Sequence, residues 1–240
     1  MKQLALGVRL RSEAVFANFA AGMNGELLAL LKGPSRVPLW LWGSPGSGKT
    51  HLLQAVCAAA GEAGQAAAYF PLDSTPALPP QALQGFENCR VLCVDDVDLA
   101  AGHLDWERAL FRLYNEAAEL PSRVIFASAA APRQLEWRLQ DWRSRAAACV
   151  VYQVRELDEG GRVQALKLRA AQRGLELPPE TLDYLLKRMP RDLGSLLGIL
   201  DELDEASLVA QRRLTIPFIR AALEKHAGTS PSRRTSRTPE

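Results

Sequence analysis

Residues Gly43-Ser44-Pro45-Gly46-Ser47-Gly48-Lys49-Thr50 stand between an apolar tetrad, Leu39-Trp40-Leu41-Trp42, and a run from His51 to Ala60 that puts Leu52, Leu53 and Val56 on one helical face. This order of strand, glycine-rich loop and helix is the context that a phosphate-binding loop requires. Its glycines let successive backbone N–H groups converge on one anion, and the start of the helix turns its positive dipole end to the same point. Lys49 then reaches the terminal phosphates, and the Thr50 hydroxyl is placed for Mg2+ when a triphosphate is bound. A chance match in a Gly-Ser turn would not carry both flanking elements.

Phosphate chemistry also needs an acid at the end of a neighbouring strand, and Val91-Leu92-Cys93-Val94-Asp95-Asp96 provides two. Asp95 is the natural carboxylate on the Mg2+ side. Asp96 either polarises an attacking water or caps the following turn. Positive charge for a transferring phosphoryl group has two candidate sources. One is Arg145, in Asp141-Trp142-Arg143-Ser144-Arg145 before the last apolar run. The other is Arg191, at the start of a helix further on. Spacing alone leaves both open as solvated surface arginines.

Five short apolar runs, Leu39–Trp42, Ala66–Leu72, Val91–Val94, Val124–Ser128 and Cys149–Val154, alternate with helical patterns. Such alternation predicts an α/β unit, a parallel sheet with helices on both faces. Leu104 to Glu119 is one intervening helix. Leu104, Leu110, Phe111, Leu113 and Tyr114 form its apolar stripe, and Glu107, Arg108 and Glu116 are assigned to its polar side. The helix after the phosphate loop is expected to close at Gly61. Beyond Val154 the apolar runs stop, and residues 162–171, 179–189, 192–211 and 217–226 read as four helices, a small all-α unit. The expected organisation is an extended arm over 1–12, the α/β unit over 13–157, the helical unit over 158–227 and a disordered tail over 228–240. Gly160-Gly161 serves as a flexible joint in this division.

The 240 residues are 48% apolar and 23% charged, the balance of a globular chain. The formal charge of +2 resides in the tail, where Arg233, Arg234 and Arg237 oppose Glu240, so the body is formally neutral. A body without a basic excess argues against direct DNA binding through the fold. Arg233-Arg234 either touches DNA weakly or is simply solvated. No run is long enough to span a membrane and no secretory signal opens the chain, so cytoplasmic residence is expected. Cys57, Cys89, Cys93 and Cys149 lack the paired spacing of zinc or redox motifs and are expected to be buried free thiols.

Together these motifs resemble the AAA+ ATPases related to the bacterial replication initiator DnaA, over most of Val15 to His226. The resemblance is carried by Phe16-Ala17-Asn18-Phe19 with Gly22 and Asn24, by Gly48-Lys49-Thr50-His51-Leu52-Leu53, and by Asp95-Asp96. Pro132-Arg133-Gln134-Leu135, Arg145 in the arginine-finger box and Arg191-Asp192-Leu193 at the sensor-2 position complete it. It implies a five-stranded AAA+ P-loop domain, a small all-α lid, and ADP or ATP held by residues 43–51 with Asp95, Asp96 and Arg191. In place of the initiator's further domains only the arm and the tail are expected, which is similar to shortened regulatory members of the family. The region from Asp183 to Arg188 and Leu214-Thr215-Ile216-Pro217-Phe218 strengthen that likeness.

Such members promote hydrolysis of ATP bound to DnaA, with Arg145 acting in trans. Gln3-Leu4-Ala5-Leu6 resembles the short motif by which they bind the replicative sliding clamp, the β subunit of DNA polymerase III. Leu4 and Leu6 would enter apolar pockets and Gln3 would supply directional hydrogen bonds. The alternative is an arm packed on its own domain, and Gly7 departs from the bulky residue usual at the next position. The implied partners are DnaA, the clamp, DNA through the clamp, and further copies in a homo-oligomer. Ala129 replaces a polar sensor-1 residue, so weak intrinsic hydrolysis and a resident ADP are expected. A self-contained ATPase such as a helicase loader, and a pure adaptor, are the competing readings.

Overall fold

A computed structural model of the chain describes residues 14–73, 79–86, 89–188, 193–210 and 214–227. The arm with Gln3, Leu4, Leu6 and Gly7, the Arg191 position and the tail lie outside the described residues. The chain divides into two compact units, Met1–Ala165 and Leu166–Glu240.

Unit one opens with α1 (Gly25–Lys32), then β1 (Leu39–Trp42), α2 (Lys49–Glu62), β2 (Ala67–Pro71) and β3 (Val91–Asp95). It continues through α3 (Leu104–Glu119), β4 (Arg123–Ser128), α4 (Gln140–Ala148), β5 (Val150–Gln153) and the start of α5 (Glu159–Gln172). The five strands form one parallel sheet in the order β2-β3-β4-β1-β5. In register, Leu39 meets Ile125 and Val150, and Trp42 meets Ser128 and Gln153. The chain leaves β1 for the far edge at β2 and leaves β4 for the opposite edge at β5. Adjacent strands thus feed connections in opposite directions, which opens a crevice beyond their carboxyl ends.

Side-chain alternation sorts the strands into two cores. Leu39, Leu41, Cys93, Ile125 and Ala127 face Leu52, Leu53 and Val56 of α2 and Leu27 and Leu31 of α1. Trp40, Leu92, Val94, Val124 and Phe126 face Leu110 and Leu113 of α3 and Trp142 and Ala146 of α4. Fully burying each such side chain contributes about 1.5–3 kcal/mol. An aromatic cluster binds α4 into the second core: Trp142 lies 5.4 Å from Phe126, 5.8 Å from Trp137 and 6.2 Å from Trp40, centroid to centroid.

Two local features depart from the sequence expectations, and a third lay outside them. The α2 helix runs past Gly61 to Glu62 and closes at Gly64, whose φ of +70° suits glycine; Gln65 N–H returns to Ala60 O at 2.8 Å. Gly160 and Gly161 lie in the first turn of α5, where Gly161 N–H donates to Asp158 Oδ1 at 2.7 Å. Arg123 at the start of β4 is buried, and its guanidinium donates to the carbonyls of Leu30, Leu31 and Gly33 at 3.0, 2.8 and 3.2 Å. It thereby satisfies the open carbonyls at the end of α1.

Unit two takes α5 onward through α6 (Pro179–Arg188), α7 (Leu193–Ala210) and α8 (Ile216–Ala227). Leu166, Leu182, Leu185, Leu196, Leu200, Leu203 and Ile219 are among its buried apolar residues. Arg169 grips Asp201 through two bonds of 2.8 and 2.6 Å, and Arg173 reaches Asp201 at 3.1 Å and Asp204 at 2.9 Å. These forked pairs fix the register of α5 against α7. No helix among the described residues is long and apolar enough to cross a membrane. Cys57, Cys93 and Cys149 are buried free thiols and Cys89 is half-buried. Burial pushes the Cys149 thiol up to about 12, which keeps it protonated and unreactive.

Candidate functional site

The loop from Gly43 to Gly48 turns sharply at the carboxyl end of β1. Gly48 adopts φ +100°, and a Cβ there would stand 2.8 Å from Phe19 Cε2. A Cβ on Gly43 would stand 2.5 Å from the Val154 carbonyl oxygen. Only glycine fits either place: one needs a left-handed turn against an aromatic ring, the other a close pass by β5's exit. The first amides of α2, beginning at Lys49, have no partner within the helix and form an anion-seeking end. Ser47 Oγ is buried without a hydrogen-bond partner. A cradle closed to side chains, open helix amides and an orphaned hydroxyl form the donor set that an anionic phosphate group satisfies.

Lys49 Nζ donates to Gly43 O at 2.7 Å and Ser44 O at 3.0 Å, which folds its ammonium back over the loop. Burial lowers its pKa, and the charges of Asp95, Asp96 and Asp98 oppose that shift. Thr50 Oγ1 donates to Asp95 Oδ2 at 2.7 Å, so the hydroxyl and carboxylate assigned to Mg2+ are adjacent. Tyr69 donates to the same oxygen at 2.9 Å from β2, and its pKa is raised by burial and by Asp95. Asp95 is therefore held by two hydroxyls from two elements.

Asp96 takes the left-handed region, φ 55° and ψ 40°, and is the non-glycine residue with positive φ among those described. Asp and Asn tolerate this conformation far better than Glu, which accounts for the short acid after Asp95. Burial, then the charge of Asp95, pushes the Asp96 carboxyl up to about 6. Ala129 has no polar side chain, but its backbone N–H donates to Asp98 Oδ1 at 3.0 Å. The ends of β3 and β4 are thus tied across the crevice by Asp98.

The leading segment reaches the loop from the other side. His51 Nε2 lies 3.0 Å from Val15 O, and its ring is 5.6 Å from Phe19. Buried Asn24 pairs with the backbone of Arg155 both ways, Nδ2 to O at 2.9 Å and N–H to Oδ1 at 2.8 Å. Ser44 Oγ donates to Glu156 beside it. Residues 15–24, the phosphate loop and 154–156 therefore form one hydrogen-bonded rim.

Lys49, Thr50, Asp95 and Asp96 come together as the sequence led one to expect. Arg145 does not join them. It is exposed on the last turn of α4, and its guanidinium carbon lies 5.7 Å from the Tyr114 ring centroid. The sequence reading also put Glu107 on the polar side of α3, and the structure corrects this: Glu107 is fully buried. Its carboxylate accepts Gly102 N–H at 2.9 Å, Arg138 N–H at 3.1 and 2.9 Å, and Leu139 N–H at 2.6 Å. A signal was present, because Glu107 is three and seven residues from Leu110 and Tyr114 on one helical face. Tyr69 and Asp98 went unnoticed because their partners are distant in sequence, and the pairing of Asn24 with Arg155 was hidden for the same reason.

A parallel sheet in this order, a glycine-rich loop between β1 and α2, and paired acids closing β3 define a P-loop domain of the AAA+ class. Residues 158–223 match the family model described as the Hda lid domain. Domain III of the replication initiation protein DnaA from Thermotoga maritima is 22% identical, over 91% of this chain and 98% of that one, with a TM-score of 0.74. AMPPCP-bound DnaA from Aquifex aeolicus is 24% identical, over 92% and 72%, with a TM-score of 0.70. The Thermotoga maritima RuvB Holliday junction branch migration motor is 16% identical, over 90% and 68%, with a TM-score of 0.57. At these identities the likeness establishes the fold. The lid match extends that similarity over residues 158–223 to the Hda-like type of DnaA-related AAA+ proteins.

Proposed function

We propose that this chain is a negative regulator of replication initiation that stimulates hydrolysis of ATP held by DnaA. The observation that carries this reading is an Hda-type lid over 158–223 joined to a DnaA-like domain whose Arg145 points outward on α4. A guanidinium that makes none of the phosphate loop's hydrogen bonds among the described residues suits service at another subunit's nucleotide.

Residues 43–50 with His51 hold an adenine nucleotide, in line with the AMPPCP-bound state of the Aquifex neighbour, and ADP is the form held in the resting protein. Bound nucleotide and Mg2+ supply the charge that the loop is built to meet. Lys49 exchanges the Gly43 and Ser44 carbonyls for phosphate oxygens, and Thr50 and Asp95 hold the metal side. Arg191 serves as the sensor-2 arginine for that nucleotide. Ala129 offers no side-chain donor, so turnover at this site is slow. At DnaA's site, inserted Arg145 stabilises charge in the transition state, an effect of about 10³–10⁵-fold in other nucleotide triphosphatases. Gln3, Leu4 and Leu6 tether the chain to the sliding clamp, which brings DNA close without direct contact.

ATP loss measured for this chain alone, with DnaA, and with DnaA plus DNA-loaded clamp tests the reading. Turnover is expected only in the complete mixture. The second reading, a self-contained ATPase, draws on the preset Asp96 backbone and the Thr50–Asp95 pair. Vigorous turnover by the chain alone would select it instead.

A further inference from the structure

Helix α4 is nine residues long, and its N-cap, Leu139, provides no side-chain cap. The two amides that lead into it are held from another helix. Glu107 Oε2 takes Leu139 N–H at 2.6 Å and Arg138 N–H at 2.9 Å, while Oε1 takes Gly102 N–H at 2.9 Å. A carboxylate at this end also complements the positive pole of α4. Two turns along the same face of α3, Tyr114 lies under Arg145. One helix therefore holds α4 at both ends: a buried anion at its N-cap residue and an aromatic face beneath its last arginine. Trp142 and Trp137, packed edge to face, fill the space between.

We propose that Glu107 is the positioning residue for Arg145, locking the start of α4 through the Arg138 and Leu139 amides so that the guanidinium is presented in one orientation. This rests on the reading of Arg145 as a group that acts in trans. A buried glutamate engaged only with backbone amides is a costly choice for packing alone, since an apolar side chain fills such space without a charge to satisfy. The bonds it makes end on the segment leading into α4 and on the turn before α3, away from the phosphate loop. Glu107 therefore governs the outgoing arginine and leaves nucleotide binding alone.

The test uses the full chain with its nucleotide, DnaA and DNA-loaded clamp. Amide hydrogen exchange on the wild-type chain comes first: Gly102, Arg138 and Leu139 should be protected, and exchange at open-loop rates would overturn the proposal. Glu107→Gln keeps the shape and replaces one acceptor oxygen with a donor. It should release the amides held by the replaced oxygen and lower the stimulated kcat by about 10²-fold, the effect of a catalytic group misplaced by about 1 Å. Nucleotide affinity and the half-saturating concentration should not change. Tyr114→Leu should give a smaller fall in kcat. If Arg145→Ala abolishes stimulation while Glu107→Gln keeps the wild-type kcat, the positioning role is wrong and the finger stands. If stimulation survives Arg145→Ala, the finger reading itself fails. A rise in half-saturation with kcat preserved also overturns the proposal, because Glu107 would then serve docking. Where Glu107→Gln does not fold, wild-type exchange and Tyr114→Leu decide.

Discussion

At the phosphate loop, Lys49 finds its acceptors in Gly43 and Ser44, six and five residues away; at the start of α4, Leu139 finds the acceptor for its amide in Glu107, thirty-two residues away. The first structure is closed locally, by glycines, helix amides and one lysine. The second is assembled from three elements and has no motif of its own. Damage to one should therefore leave the other intact, and the two kinds of damage should be read by different instruments.

The largest effect is expected at the buried carboxylate. Glu107→Ala strips three amides of their acceptor, and a stability loss of about 3–5 kcal/mol should appear as a lowered urea midpoint. At low denaturant, nucleotide affinity should be retained; its loss would show that the two regions are one cooperative structure. Lys49→Ala is the reciprocal change. It should weaken nucleotide binding by about 2–5 kcal/mol in calorimetric titration, with the fluorescence of the Trp40–Trp137–Trp142 cluster unchanged. Gly48→Ala should cost about 1–2 kcal/mol in thermal unfolding, because it forces a side chain into φ +100° against Phe19.

The smallest effect depends on pH. The Asp96 carboxyl titrates at about 6 when folded, above its ordinary value, so between about pH 4 and 6 the native state holds a proton that the unfolded chain has lost. Stability contributed by this group is present at the acid end of that window and declines as pH rises through it, by about 1 kcal/mol after solvent screening. Asp96→Asn keeps the left-handed backbone and should flatten that slope in urea titrations. An unchanged slope would place the titration elsewhere.

The same contrast decides what could be read from sequence. The loop was legible because its chemistry is sequential: glycines for the turn, Lys49 and Thr50 at fixed offsets, a strand before and a helix after. Asp95 and Asp96 were legible because an acid ending an apolar strand has few other uses. Glu107 was misplaced because a charged side chain was assigned to solvent by type, although its helical phase with Leu110 and Tyr114 pointed inward. Arg123 was hidden likewise, since its three carbonyl acceptors belong to a helix about ninety residues away. For the short acid at position 96, the left-handed backbone supplies a physical reason that the sequence did not show.

In the proposed function, the decisive chemistry occurs at another protein's nucleotide and needs one guanidinium from this chain. Single-turnover conversion of labelled ATP pre-bound to DnaA, with DNA-loaded clamp and this chain in its ADP state, tests it directly. Arg145→Ala should lower the rate by about 10³-fold or more while clamp and nucleotide binding persist. Wild-type rates from the Arg145→Ala chain would contradict the account.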